Sequence, residues 1–274
     1  MNDIHEKYVE RVEKGLSRRE GDSMQASAEA LCFPSFAPEV LLRATKSPAG
    51  TLFRLATFTI NLWFSCDDQV SRVQEVKQVE PVRAESFWQS MEEINPDQIA
   101  NGENFGADGM SVRATFQKGD STHSFQAWSP DLASGPGKFV HLLYCLAWEL
   151  LADQTSIERL EQLHGYMNLG LPARFIPGKL RTLRLFGSLT SNDREALRKV
   201  FVSVSDGLPL VIDMTNFVSM GTLLYPIFVE FAKKQTHLAW ACAEHAKRHL
   251  KDMRLDESRI FGSVEDAISF LGRQ

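Results

Sequence analysis

The sequence has no apolar run long enough to cross a membrane. Its most apolar stretch, residues 139–152, includes His141 and Glu149 and falls short of the roughly 20 residues that a spanning helix needs. The opening Met-Asn-Asp-Ile-His-Glu-Lys contains no apolar core of a signal peptide. We therefore expect a soluble protein of the cytoplasm.

Cysteine is scarce and shows no Cys-x-x-Cys spacing. The four cysteines are Cys32, Cys66, Cys145 and Cys242. Each lies in or beside an apolar stretch, where a free thiol behaves as a small hydrophobic side chain. A reducing compartment is the simplest interpretation.

Motifs that carry chemistry are also absent. No Gly-x-Ser-x-Gly elbow occurs, and residues 134–138 resemble a phosphate loop with the wrong spacing and with Phe139 at the Ser/Thr position. His245 and His249 are four residues apart, so a helix would present both imidazoles on one face, but only Cys242 is near as a third ligand. We expect no cofactor and no metal, with His245 and His249 as weak candidates.

The composition is that of an ordinary globular protein. Of 274 residues, 43% are hydrophobic and 24% are charged, which excludes a disordered or collagen-like chain. Thirty basic and 35 acidic residues give a net charge of -5, so a dedicated nucleic-acid binder is not expected. The length predicts two domains.

Residues 1–177 predict an α+β domain. The alternating runs Met110–Gln117 and His123–Trp128, separated by Gly119, predict a β-hairpin. Apolar positions at helical spacing predict an opening helix that packs on its own domain or forms a dimer contact: Ile4, Tyr8, Val9, Val12 and Leu16. The other predicted elements are strands over 51–66 and 70–82, helices over 85–94, 139–151 and 156–167, and loops over 21–30, 101–109 and 129–138. Pro172, Pro177 and Gly178 mark a linker.

Residues 178–274 alternate predicted strands and helices. The strands cover 180–189, 208–214, 237–243 and 260–261. The helices cover 191–203, 222–235, 244–253 and 264–271, with Ser191 and Ser263 as caps of the first and the last. Such short alternation predicts an α/β domain, with a mixed sheet and helices packed on it.

The order of these elements resembles a STAS domain, the module of anti-sigma-factor antagonists, stressosome proteins and sulfate-transporter tails. The segments that carry the resemblance are Gly187-Ser188-Leu189-Thr190, Asp213-Met214-Thr215, Gly221 before the helix, His237–Ala243, His249-Leu250, and Ile260-Phe261-Gly262-Ser263 followed by Glu265, Ala267 and Leu271. The resemblance covers roughly residues 180–274.

The resemblance implies a switch in the loop 213–222, formed by Asp213, Thr215, Ser219, Met220, Gly221 and Thr222. In the family, a Ser or Thr directly before the helix-opening Gly is phosphorylated, at a helix N-terminus that favours an anion. Here that position holds Met220, and the loop is about three residues shorter than in the family. Ser219 or Thr222 is either a displaced acceptor or an ordinary helix cap. Asp213 either borders the switch or forms a turn.

We therefore expect a two-domain, non-enzymatic signalling protein, bacterial by its resemblance. Implied partners are proteins, such as a serine/threonine kinase or an anti-sigma-like protein. The first domain is not recognised and is expected to be regulatory or partner-binding.

An alternative is an enzyme or ligand-binding site in the first domain, in a cleft lined by Asp108, His123, Asp131 and His141. Another is a passive assembly subunit that has lost phosphoregulation, because Met220 cannot be phosphorylated. The sequence leaves the oligomeric state open.

Overall fold

The computed structural model describes residues 2–16, 24–65, 70–102, 106, 108–178 and 180–273. Cys66 and parts of the predicted loops at 21–30 and 101–109 lie outside these ranges. The chain divides into two compact units, Met1–Asn168 and Leu169–Gln274. No helix within the described ranges is both long and apolar enough to cross a membrane.

The first unit is built on a six-stranded antiparallel sheet in the order β4-β3-β2-β1-β5-β6. Its strands are β1 (Ala26–Pro34), β2 (Val40–Ser47), β3 (Gly50–Phe58), β4 (Arg72–Val79), β5 (Met110–Lys118) and β6 (Ser121–Trp128). Its helices are α1 (Asn2–Leu16), α2 (Pro81–Glu93), α3 (Gly135–Leu150) and α4 (Gln154–Tyr166).

Helices cover the sheet on both faces. On one face, α1 packs Val9, Val12 and Leu16 against Leu41 of β2 and Phe58 of β3. On the other, the long apolar helix α3 contacts β1, β2, β3 and β6 and lies beside α2 and α4. Ile4 was expected on the buried stripe of α1, but it is 69% exposed, because the apolar contact of this helix begins at Tyr8.

Local sequence signals predict some elements of this unit and miss others. The β5–β6 hairpin is confirmed, with Gly119 at a φ of 57° in its turn. The predicted loop 129–138 is wrong at its end: α3 begins at Gly135, with the Ser134 hydroxyl accepting from the Gly137 N–H at 3.1 Å. Pro136 suits a first helical turn, where its missing N–H has no intrahelical partner to lose.

Strands β1 and β2 were not predicted. Residues 26–30 were expected to be a loop because they are small and polar, yet they form the first half of β1. Both strands lie in the middle of the sheet and are buried on both faces over most of their length. A strand covered on both faces has no alternation of apolar and polar residues to reveal it.

The second unit has a five-stranded mixed sheet in the order β13-β12-β10-β8-β7 and a two-stranded parallel ribbon of β9 and β11. Its strands are β7 (Ala173–Ile176), β8 (Arg181–Leu185), β9 (Gly187–Leu189), β10 (Leu210–Met214), β11 (Phe217–Met220), β12 (Leu238–Cys242) and β13 (Ile260–Phe261). Its helices are α5 (Arg194–Ser203), α6 (Tyr225–Lys234), α7 (Glu244–Asp252) and α8 (Val264–Leu271).

Two predictions about the start of this unit are wrong. Residues 173–176 were expected in a linker but form β7, which pairs antiparallel with β8. The single strand expected over 180–189 is interrupted at Phe186, between β8 and β9, where Gly187 adopts a φ of 60° and redirects the chain. A positive φ is a conformation that glycine adopts without steric strain.

The core of the second unit lies mainly on one face of the mixed sheet. There β10 and β12 meet an aromatic cluster from α5 and α6, in which the rings of Phe201 and Phe231 stack at 4.1 Å. Helix α8 covers the opposite face, and its predicted cap is confirmed, since the Ser263 hydroxyl accepts from the Asp266 N–H at 3.1 Å.

The predicted cap before α5 is off by one residue. The N-cap is Thr190 rather than Ser191. It precedes a 3₁₀ turn, Ser191–Asp193, that leads into α5. Thr190 and Asp193 satisfy each other's backbone N–H groups in a capping box.

Candidate functional site

Asp213 lies near the end of β10, where its carboxylate is buried and fully hydrogen-bonded. One carboxylate oxygen accepts from the Arg184 guanidinium at 2.9 Å, across the parallel pairing of β8 and β10. The other accepts from the Thr215 N–H at 2.9 Å and from its hydroxyl at 2.7 Å. The Asp213 side chain is 2% exposed. These contacts are those of a turn-forming residue that also neutralises a buried arginine.

The predicted loop 213–222 is largely strand. Residues 217–220 form β11, which pairs with β9 through an irregular register between Phe217 and Ser219. Because of this bulge, two consecutive side chains, Val218 and Ser219, point to solvent, while Phe217 and Met220 enter the core. Met220 therefore anchors the strand through its buried side chain.

The hydroxyl of Ser219 is exposed and does not cap a helix. It donates to the Ser188 hydroxyl of β9 at 3.0 Å. The short 3₁₀ helix Thr222–Leu224 precedes α6 and has Gly221 as its N-cap, without a side-chain hydrogen bond. The expectation that Ser219 or Thr222 is a cap is therefore wrong, and both side chains are exposed.

His245 and His249 share one face of α7, as their spacing predicts, but each imidazole has a partner of its own. His245 pairs with the Phe217 carbonyl at 2.5 Å, and His249 pairs with the Tyr225 hydroxyl at 2.8 Å. Burial lowers the pKa of His249; the nearby Asp252 opposes this shift and Arg248 adds to it.

His245, His249 and Cys242 are poorly suited to bind a metal ion. Burial raises the pKa of the Cys242 thiol to about 11, which keeps it protonated at neutral pH. Among the residues that the structure describes, no three His, Cys, Asp or Glu side chains are grouped as metal ligands.

The four residues expected to line a cleft in the first unit are not brought together. Asp131 lines a cleft of about 540 Å³ beside Trp128 and Ser134, without the other three. His123 pairs with the Ile99 carbonyl at 2.8 Å. His141 lies 3.3 Å from the Cys145 thiol one turn further along α3. Asp108 is exposed.

Burial sets the protonation of the α3 pair. It lowers the pKa of His141 and raises the pKa of Cys145, whose thiolate is further disfavoured by Glu149. The pair therefore rests as a neutral imidazole and a thiol, not as the ion pair of an activated cysteine nucleophile.

Two solved structures are similar to part of the chain. An anti-sigma factor antagonist from Mycobacterium paratuberculosis matches 36% of this chain and 92% of its own length, at 18% identity and a TM-score of 0.34. An uncharacterized protein with a SpoIIAA-like fold from Shewanella loihica PV-4 matches 37% and 94%, at 14% identity and a TM-score of 0.30. No family model matches the chain, and no curated protein does.

Three residues beside the candidate site were not singled out by sequence reasoning. Arg184 lies in β8, which reads Arg-Thr-Leu-Arg-Leu, and only the structure shows that its side chain is buried beside Asp213. Val218 and Leu223 are 61% and 70% exposed, although both are large and apolar. Their exposure depends on the bulge in β11 and on the 3₁₀ turn, which apolar spacing alone does not reveal.

Proposed function

We propose that this chain is a non-enzymatic regulatory protein that binds a partner protein through a surface of the second unit. This surface, called the hydroxyl surface below, consists of Ser188, Val218, Ser219, Thr222 and Leu223. The observation that supports it is the exposure of two large apolar side chains, Val218 and Leu223, beside three exposed hydroxyl groups. A partner that covers the apolar pair removes it from water, which is the main driving force of association.

A phosphate on this surface would oppose that binding. Phosphorylation of Ser219 adds about -1.5 to -2 charges between Val218 and the Ser188 hydroxyl, 3.0 Å away. A partner that buries Val218 would then have to desolvate a dianion. Thr222 is the second candidate acceptor, at the start of the 3₁₀ turn, where unpaired backbone N–H groups favour a negative charge. Partners with the required chemistry include a serine/threonine kinase or an anti-sigma-like protein.

The test is a tagged pull-down from the cells that make the protein, with captured proteins quantified by mass spectrometry. We expect at least one partner to be captured by the wild type and depleted tenfold or more by Ser219→Asp or Thr222→Asp, on the order of 1.4 kcal/mol. Thr236→Asp is the matched control. Thr236 is also an exposed threonine, but it lies just before the start of β12 and outside the hydroxyl surface. If both variants retain every partner that the control retains, the hydroxyl surface is not the binding site.

Met220 favours a second candidate function, an assembly subunit without phosphoregulation. Its side chain is buried in the core of the second unit, so this position has a structural role. The peptide around Ser219 and Thr222 from the same pull-down distinguishes the two functions. Phosphate on either hydroxyl supports the switch, and a partner bound to a peptide that is never phosphorylated supports the assembly subunit.

A further inference from the structure

The two edges of the first unit's sheet differ in how they are covered. At the β6 edge, the Gly102 N–H donates to the Gln126 carbonyl at 2.7 Å, and the Asn101 side chain accepts from the Gln126 N–H at 2.8 Å. At the β4 edge, no described residue forms a hydrogen bond to the backbone of Gln74, Val76 or Gln78. Among the residues that the structure describes, strand β4 is therefore an open edge of eight residues.

The pairing of β3 with β4 decides which groups face outward. The Thr59 N–H donates to the Ser71 carbonyl at 3.0 Å, one step beyond the pair Phe58–Arg72. Hydrogen bonding alternates along an antiparallel pair, so odd-numbered residues of β4 bond to β3. The N–H and C=O groups of Arg72, Gln74, Val76 and Gln78 then point away from the sheet.

The sequence of this edge is complementary to itself. Residues 72–80 read Arg-Val-Gln-Glu-Val-Lys-Gln-Val-Glu. We propose that two copies of the chain associate by antiparallel pairing of β4 with β4 of the second copy, about a two-fold axis through Val76. Glu75 then lies opposite Lys77 of the second copy, and Arg72 lies next to the second copy's Glu80, the residue that follows β4 and is the N-cap of α2. Valines oppose valines and glutamines oppose glutamines, and Val76 meets its own copy.

Other registers lose this complementarity. A two-fold axis through Glu75 or Lys77 would place two identical charges directly opposite each other, which is destabilising. An axis through Gln74 or Gln78 would leave Glu75 and Lys77 without opposite charges. Val76 is the one residue of β4 whose backbone N–H and C=O point away from β3 and about which the charges of residues 72–80 are arranged symmetrically.

The side chains of β4 are already arranged for this contact. Glu75 accepts from the backbone N–H groups of Ala152 and Asp153 at 3.2 Å each and lies 3.2 Å from the Lys77 ammonium. Two such pairs across the axis would form a cluster of four alternating charges. Lysine on an edge strand discourages pairing with arbitrary strands. Here Lys77 selects a partner strand that carries an acid at the matching position, and this chain carries one.

The first test measures the mass of the purified full-length protein by light scattering during gel filtration. We expect about twice the 30.9 kDa chain mass at concentrations up to ~100 μM, where micromolar affinities are saturated. Val76→Pro should give the monomer, because proline removes only the N–H that points to the second copy and leaves the bonds to β3 intact. Val76→Thr is the control and should remain dimeric. A monomeric wild type, or a dimeric Val76→Pro variant, overturns the proposal.

A charge exchange tests the register. Arg72→Glu and Glu80→Arg each create two like-charged pairs in a homodimer, and each variant should self-associate at least about tenfold more weakly than the wild type. An equimolar mixture of the two variants restores both pairs in a heterodimer, so association should return on mixing. Mixing without recovery contradicts this register.

Cysteine cross-linking distinguishes β4 pairing from other dimers. Opposed Cα atoms in a hydrogen-bonded pair are about 5.5 Å apart, within reach of a disulfide. Val76→Cys should therefore form a covalent dimer under mild oxidation. Gln74→Cys should not, because its own copy lies roughly 14 Å away. Equal cross-linking of the two variants, or none above the wild type for Val76→Cys, excludes the axis through Val76.

Discussion

The buried pair of Arg184 and Asp213 should be the most strongly coupled ion pair of the second unit. Their side chains are 10% and 2% exposed, and they join β8 to β10 in the middle of the mixed sheet. Replacing either partner breaks an ion pair in a site with little water. Such changes cost about 3–5 kcal/mol. We expect losses of this size for Asp213→Asn and for Arg184→Met, against a typical total stability of about 5–15 kcal/mol.

The double variant decides whether this cost comes from breaking the pair. If it does, Asp213→Asn combined with Arg184→Met should cost no more than either single change, with a coupling energy of at least about 3 kcal/mol. Urea unfolding followed by ¹⁹F NMR of fluorotryptophan-labelled protein isolates the second unit, because Trp240 is its only tryptophan. Additive losses, or single losses below about 1 kcal/mol, would refute the argument. Glu230→Gln, in an exposed pair with Lys234, should leave the midpoint unchanged.

Two further predictions concern pH and packing. The pKa of His249 is lowered in the folded protein, so the unfolded chain binds more protons, and the second unit should lose stability as the pH falls below about 6.5. His249→Gln should reduce this loss between about pH 7 and 5 in urea titrations, and an unchanged pH profile would contradict it. Gly137→Ala should destabilise the first unit by more than about 2 kcal/mol, since a Cβ there would meet the Asp131 carbonyl oxygen. Calorimetry should show this loss but a much smaller one for Gly165→Ala, where no atom outside its own helix backbone and chain neighbours lies within 4 Å of the added carbon.

Elements with strong local signals were predictable from the sequence. The β5–β6 hairpin has clear alternation around Gly119, and α8 has a serine cap with acidic residues in its first turn. Strands β1, β2 and β7 were missed because their identity depends on the strands that pair with them. Propensity is a weak guide where tertiary contacts decide the structure.

The candidate site was predictable in its location but not in its form. The strand that ends near Asp213 and the helix that follows Gly221 are where the sequence places them. Strand β11 was missed because its bulge turns Val218 and Ser219 to the same side, which destroys the two-residue period that identifies a strand. The exposure of Val218 and Ser219 follows from this irregularity.

The topology of the first sheet also has a consequence for synthesis of the chain. Strand β1 pairs with β2 on one side and with β5 on the other, and 75 residues separate the end of β1 from the start of β5. At about 5–20 residues per second, the ribosome needs roughly 4–15 s to make that intervening segment. During this time the side of β1 that will face β5 has no partner strand. The nascent chain, rather than the finished protein, is therefore the form most exposed to aggregation, and protection during translation should matter more than protection after release.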